Sequence, residues 1–289
     1  MFKAATKIQH LFQTAILAHQ YSTKRHSSET NSCGKKHQNR FFLIFAVINL
    51  NPDTMNIDLS KVLFLDIETV SHEKSYDDLS ERMQHLWDKK ANYLLKPGEE
   101  TTPKDLYERA AIYAEFGKII CISVGFINGN RFRLKSFYGH DEKALLIDFA
   151  NMLNKFNFNP ELQLCAHNGK EFDFPYIARR MMVNQIEIPK ILQTAGRKPW
   201  ETNFIDTMEL WKFGDYKAMT SLDLLCAILD IPTPKDDING SEVGRVYWEE
   251  DDLERIKTYC QKDVLAIAQL MRRYTYRPLI EEDCIDYTN

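Results

Sequence analysis

The run Lys61–Val70 (KVLFLDIETV) constrains the fold most, because its apolar residues occupy both alternating faces. A strand that is apolar on both sides has to be covered on both sides, as a central strand between layers of helices is. Asp66 and Glu68 interrupt the run two residues apart, so their side chains leave the strand on one face, behind Val62 and Phe64. They stand near the end where the strand emerges, and open α/β sheets usually place their sites at the carboxyl ends of strands. On these two residues alone, a plain strand end meeting solvent is an equal alternative.

The pattern downstream supports the same class. Lys118–Ile127 and Arg131–Tyr138 are β-rich runs flanking Asn128-Gly129, a strong hairpin signal. Helical spacing occurs over 76–95, 103–116 and Glu142–Phe156. A strand (Leu162–Ala166), a helix from Asp173 and a short strand (Asn203–Thr207) follow, then a Leu-rich helix (Ser221–Ile231) and a long helix (Glu249–Tyr274). Three strands in a meander, then strand–helix–strand–helix, predict an α/β domain: a five-stranded mixed sheet with helices on both faces.

That domain is expected over 55–289. Residues 1–54 read as a transit-like leader, a disordered basic arm, or sequence ahead of a true start at Met55. Their apolar run Phe41–Leu50 is too short to span a bilayer and too far from Met1 for an ordinary signal peptide. A cytoplasmic location without membrane contact is therefore expected. Cys121, Cys165, Cys226 and Cys260 sit in apolar, periodic segments without C-x-x-C spacing, as small core residues of a reduced compartment do.

Two further carboxylates come with ambiguous surroundings. Asp173 ends the run His167-Asn168-Gly169-Lys170-Glu171-Phe172-Asp173, between a strand end and a helix start; with Pro175 behind it, it also suits an ordinary helix cap. On the last helix, Leu253, Ile256, Cys260, Val264, Ile267 and Met271 mark the buried stripe, and Tyr259 and Asp263 lie on one flank, one turn apart. A salt bridge to Lys262 or Arg255 would explain Asp263, although neither lies one turn away on that flank. If the fold brings the four carboxylates together, each like-charged pair costs about 4 kcal/mol at 4 Å and an effective dielectric near 20. Hard divalent cations relieve that cost, since Mg²⁺ takes carboxylate and phosphate oxygens. Two ions about 4 Å apart can serve an in-line displacement at phosphorus.

FLDIET (Asp66, Glu68), HNGKEFD (Asn168, Phe172, Asp173) and YCQKD (Tyr259, Asp263) resemble, in order, the three motifs of the DEDD superfamily of 3′–5′ exonucleases. Tyr259, four residues before Asp263, resembles the Tyr-type branch; the His-type branch would need His where Thr258 stands. The likeness covers roughly 61–274 and is nearest to stand-alone bacterial proteins similar to the exonuclease domain of family-B DNA polymerases. It implies a ribonuclease-H-like fold and a two-metal hydrolysis of single-stranded nucleic acid from a free 3′ end, DNA favoured over RNA. Mg²⁺ is the implied ion, with Mn²⁺ as the alternative. It further implies that Asp66, Glu68 and Asp263 ligate one ion, that Asp66 reaches the second, and that Asp173 holds the second through water. Tyr259 would orient the attacking water, and Thr69, Asn168 and Phe172 would seat the terminal nucleotide. The long helical stretch 71–117 departs from the family pattern.

Other features are less specific. Lys170, Arg179 and Arg180 could meet phosphate or be solvated. Arg197-Lys198-Pro199-Trp200 could stack a base or anchor a loop, Trp87 and Trp211 read as core, and Asp206, Asp236 and Asp237 as loop or capping residues. The charge is uneven: residues 1–54 carry seven Lys/Arg against Glu29 and Asp53, leaving 30 basic and 39 acidic residues beyond, a net −9. Phosphate binding normally needs a basic surface, and two bound divalent ions would return +4 where the substrate sits. The alternatives to an exonuclease are an endonuclease of the same fold and a nuclease-derived binding module without catalysis. A polymerase or repair partner would be a separate chain.

Overall fold

The computed structural model describes residues 57–288, apart from 96–97, 99, 157–158 and 234–236. The readings of residues 1–54, of Met55 and of Asp236 lie outside the described residues. Residues 57–280 and 285–288 form one body; Glu281–Cys284, with a short 3-10 turn at Glu282–Cys284, group apart from it.

The strands are β1 (Val62–Ser71), β2 (Gly117–Asn128), β3 (Arg131–Tyr138), β4 (Gln163–Ala166), β5 (Phe204–Asp206) and β6 (Ile285–Thr288). Their order across the sheet is β5-β4-β1-β2-β3-β6. β1, β2 and β3 run antiparallel as a meander, whereas β4 and β5 add in parallel beside β1. This is the ribonuclease-H-like arrangement, with helices on both faces of a mixed sheet. The expected five strands become six. β6 pairs in parallel with β3 through Phe132↔Ile285 to Lys135↔Thr288, and its four residues are too short and too polar to signal a strand by themselves. Asn128 pairs with Arg131, so Gly129-Asn130 forms the two-residue hairpin turn, with Gly129 at φ +60° in the place where a tight turn demands it.

The helices are α1 (Glu81–Asn92), α2 (Glu142–Asn154), α3 (Asp173–Val183), α4 (Thr207–Lys212), α5 (Leu222–Ile228) and α6 (Leu253–Tyr274). Odd-numbered residues of β1 (Leu63, Leu65, Ile67) pack with Leu146, Phe149, Phe174 and Ile177 of α2 and α3. Even-numbered ones (Val62, Phe64) pack with Leu225 and Cys226 of α5 and Val264, Ile267 and Met271 of α6. The double-sided burial of β1 thus follows from its sequence. Cys121, Cys165, Cys226 and Cys260 are buried and reduced. No helix among the described residues is long and apolar enough to cross a membrane.

The segment 71–117 is only partly helical. α1 forms, but 103–116 holds a 3-10 turn at Tyr107–Ile112 rather than an α-helix. Its apolar residues are spent on a small cluster instead: Tyr107 and Phe116 pack edge-on against Trp87, which is fully buried and donates its indole N–H to the Pro103 carbonyl at 2.7 Å. The last helix also starts later than its periodicity suggests. A helical turn at Val243–Arg245 runs into a π-helical turn at Val246–Glu250, and Asp251, at φ +56°, breaks the chain before α6.

A buried ion pair ties these layers together. Arg180 of α3 grips Glu142 of α2 with two bonds of 2.8 and 2.6 Å and donates a third, of 2.8 Å, to the Ala114 carbonyl. Glu142 also accepts from the Ile119 amide of β2 and from Asn184. Arg180 is therefore architecture and has no role at phosphate. Removing one partner strands a buried charge, so Arg180→Met should cost about 3–5 kcal/mol in urea unfolding. A loss below about 1 kcal/mol would show that water reaches the pair.

Candidate active site

Asp66 and Glu68 continue the Val62–Phe64 row on the face covered by α6, in the gap between two apolar clusters. One is the cluster containing Val264 and Ile267; the other contains Val70, Ile120, Cys121, Ile256, Tyr259 and Cys260. A β-bulge falls between Glu68 and Thr69, where Ile120 is the extra residue on β2. Bulges re-aim side chains, and this one shifts the ladder register immediately beyond the two acids, before pairing resumes at Thr69↔Ile119.

α6 lays Tyr259, Cys260 and Asp263 over this gap, all of them buried. Ligand atoms of Asp66, Glu68 and Cys260 lie within 4.8 Å of one another. The Cys260 thiol donates to the Asp66 backbone carbonyl (3.4 Å) and to Asp66 Oδ2 (3.5 Å), so this cysteine is more than core filling. Tyr259 is hydrogen-bonded to Asp263. The salt bridge that would have explained Asp263 through Arg255 does not form, because Arg255 is held by Asp237 and Glu250.

Asp173 arrives from the opposite side of the sheet. It is not the cap of α3 but its first residue, 3% exposed, with Phe172 in the cap position. The parallel β1–β4 ladder ends at Phe64↔Cys165, so the backbone beyond it on β1 has no strand partner on that edge. The Ile67 amide donates to the Asp173 carboxylate there, as does Asp173's own amide.

The electrostatics are those of crowded anions. Burial, then the charges of Asp263, Glu68 and Asp173, hold the Asp66 carboxyl well above the ordinary carboxylate range. Burial, then Asp263, Cys121 and Asp173, do the same to Glu68. Burial pushes Asp173 up to about 7 against the two amide bonds, with Asp206 and Asp263 adding to the rise. Burial and the nearby carboxylates also raise the Tyr259 hydroxyl, which stays protonated. Among the described residues, no Lys or Arg lowers the Asp66 or Glu68 carboxyl.

Four carboxylates, with a thiol that burial keeps protonated, form an oxygen donor set suited to a hard divalent cation. Asp263 Oδ1 adds a solvent-sealed oxygen that accepts no hydrogen bond from the protein. Asp66, Glu68 and Asp263 would hold such an ion, and Asp173 would serve a second.

The Thr69 hydroxyl donates to the Ala111 carbonyl (2.9 Å), and the Tyr176 hydroxyl meets the same oxygen at 2.7 Å. Segment 71–117 therefore docks at the rim of the site. Phe172 is half-buried against the Tyr176 ring. Asn168 takes the left-handed conformation, φ +61°, in the turn after β4. Gly169 beside it is obligatory, since a Cβ there would lie 2.4 Å from that of Ala166. Lys170 pairs with Glu209 at 2.5 Å. Arg179 is exposed, and Lys198 lies over the exposed Trp200 ring.

A family profile described as a predicted 3′–5′ exonuclease related to the exonuclease domain of PolB matches residues 111–277, more than half of the chain. The chain belongs to that family. The matched span of this PolB-exonuclease relative contains Asp173, Tyr259 and Asp263, and β1 with Asp66 and Glu68 precedes it. No curated protein matches the chain. Among solved structures, the family B DNA polymerase from the hyperthermophilic archaeon Pyrobaculum calidifontis matches with a TM-score of 0.45 and 12% identity, over 74% of this chain. The match covers 24% of that polymerase.

One carboxylate of this PolB-exonuclease relative was underrated by sequence. Asp206 caps α4, as expected, accepting from the Met208 and Glu209 amides. It also accepts from the amides of Asn168 (3.0 Å) and Lys170 (3.1 Å), and so clamps the turn that leads to Asp173. A signal was present, since Asp206 ends a strand as Asp66 does, but its partners lie 36–38 residues away.

The raised Asp173 carboxyl has a consequence for stability. Its folded value of about 7 lies above its ordinary 3.8, so between those limits the fold holds a proton that the unfolded chain has released. The metal-free protein should therefore lose stability as pH rises from about 4 to about 7. Divalent cations replace the missing protons, so Mg²⁺ should raise the thermal midpoint more at pH 8 than at pH 5. An equal rise at both pH values would detach metal binding from these carboxylates.

Proposed function

We propose that this chain is a divalent-metal-dependent 3′–5′ exonuclease acting on single-stranded nucleic acid, DNA favoured. The observation that supports the reading is the grouping of Asp66 and Glu68 within 4.8 Å of each other and of Cys260, with Asp263 and Asp173 near enough to raise both carboxyls. Mg²⁺ fits the oxygen donors, with Mn²⁺ as the alternative. Bound there, divalent ions supply an activated water and charge stabilisation at phosphorus.

The protein's own part is positional. Asp66 and Glu68 are fixed by a central strand buried on both faces, and Asp263 by the longest helix. The protonated Tyr259 hydroxyl, poised beside Asp263, would orient the attacking water by hydrogen bonding. Apolar residues on either side exclude bulk solvent, which strengthens each electrostatic contact. The Asn168 turn, Thr69 and Phe172 would seat the terminal nucleotide. Membership in a family of predicted 3′–5′ exonucleases supports removal from an end over internal cleavage.

End-labelled single-stranded DNA and RNA oligonucleotides, incubated with Mg²⁺ or EDTA, test this directly. A Mg²⁺-dependent ladder shortening from the 3′ end is expected, and internal cuts or cleavage in EDTA would refute it. Asp66→Ala and Asp263→Ala should abolish hydrolysis while remaining folded. Tyr259→Phe should lower kcat by about 10²-fold, the usual scale for a positioned proton-handling group, with metal binding kept. Unchanged turnover would take Tyr259 out of the mechanism.

A further inference from the structure

The turn Asn168–Lys170 is not the only segment fastened beside the carboxylates. Thr207, at the start of α4, lies 2.8 Å from His167 Nδ1, and His167 Nε2 donates to the Thr220 carbonyl at 3.0 Å. The chain between these fastenings is α4 and the loop 213–219. α4 has six residues, so the loop begins about 9 Å along the helix from Thr207, the rise of two or three stacked nucleotides.

The composition of that loop is hard to explain by folding alone. Phe213 is 81% exposed, Tyr216 89% and Met219 56%. Phe213 also takes the left-handed conformation, φ +43°, at the helix end where glycine normally stands. A bulky residue there is strained, and exposure gives it no burial in return. The loop is braced by its own hydrogen bonds. The Asp215 amide donates to the Lys212 carbonyl (2.7 Å), the Ala218 amide to the Asp215 carbonyl (3.1 Å), and the Lys217 amide to the Asp215 side chain (3.1 Å). Lys212 and Lys217 place cations beside the rings in a body that is otherwise net acidic.

We infer that the loop 213–219 is a stacking platform for the bases immediately 5′ of the terminal nucleotide, with Phe213 and Tyr216 as the stacking rings. The inference rests on the nucleic-acid substrate proposed above. Every base has a π-face, so such a platform binds single strands without reading sequence. Lys212 and Lys217 would meet the phosphates between those bases. Protein docking on the same rings is the competing occupant.

The test is fluorescence anisotropy of a labelled single-stranded oligonucleotide with Ca²⁺ in place of Mg²⁺, using the full chain. Phe213→Ala combined with Tyr216→Ala should weaken binding at least about ten-fold. Phe213→Gly should weaken it too while keeping or raising the thermal midpoint, since glycine relieves the strained backbone; this excludes misfolding as the cause. An oligonucleotide with abasic sites just before its 3′ nucleotide should bind wild type as weakly as the double variant, and the double variant no worse than before. Unchanged affinity in the variants, or an equal abasic penalty in both proteins, would overturn the platform and leave the rings to a protein partner. Hydrolysis is followed separately in Mg²⁺. An active nuclease indifferent to these substitutions sinks the platform alone, whereas binding that depends on the rings without 3′ shortening sinks the exonuclease alone.

Discussion

The mutual repulsion of four crowded carboxylates, three of them buried and Asp66 half-buried, sets the terms for the rest of the molecule. Each like-charged contact costs about 4 kcal/mol at close range in a partly screened interior. Burying one Leu or Phe side chain returns about 1.5–3 kcal/mol. A site of this kind therefore draws on the small margin by which apolar burial exceeds the entropy cost of ordering the chain. The distribution of the core follows that need. Ile67 packs beneath the acids on one face of β1. On the other face, Val264 and Ile267 close one end of the gap and Ile256 and Cys260 the other. The acids sit where three segments far apart in sequence are each held by a separate apolar contact.

Polar residues around the cluster work by fixing backbone rather than by neutralising charge. The Ile67 amide is released by the early end of the β1–β4 ladder and goes to Asp173. Asp206 collects the amides of Asn168 and Lys170, and Cys260 holds the Asp66 carbonyl. The Glu142–Arg180 pair locks α3, and with it Asp173, against α2 and the end of segment 71–117. Arg180, the strong cation of this region, is thus committed to the scaffold. That arrangement leaves the cluster destabilised alone and receptive to divalent ions.

Much of this was legible because it depends on local periodicity. β1 is apolar on two faces, and this alone requires helices above and below; its alternation puts Asp66 and Glu68 on the face of Val62 and Phe64. The spacing on α6 puts Tyr259 and Asp263 one turn apart beside the buried stripe. What could not be read depends on distant partners. Residues 103–116 have helical spacing, yet Trp87 draws Tyr107 and Phe116 into a cluster that bends the chain into a 3-10 turn. Asp173 has every local mark of a cap, and only the shortness of the β4 ladder explains its inward turn. Arg180 looks like a surface cation until Glu142 is brought beneath it. β6 is a strand solely because β3 offers it an edge.

The net acidity of the body, at odds with a nucleic-acid substrate, is eased by where the charges lie. Many acids are committed: Asp66, Glu68, Asp173 and Asp263 to the cluster, Glu142 and Asp206 to buried backbone and Arg180, Asp237 and Glu250 to Arg255. Two divalent ions in the cluster would reverse the local sign where a phosphate arrives. Attraction by rings is insensitive to the remaining negative field, since stacking acts through the π-face of the base. A substrate held mainly by ions at one phosphate and by stacking on the next bases makes few backbone contacts, and its affinity then varies little with salt. Weak purchase on the phosphate chain also favours release after each cut. An acidic body is in this way compatible with a nuclease that engages an end briefly and does not coat a strand.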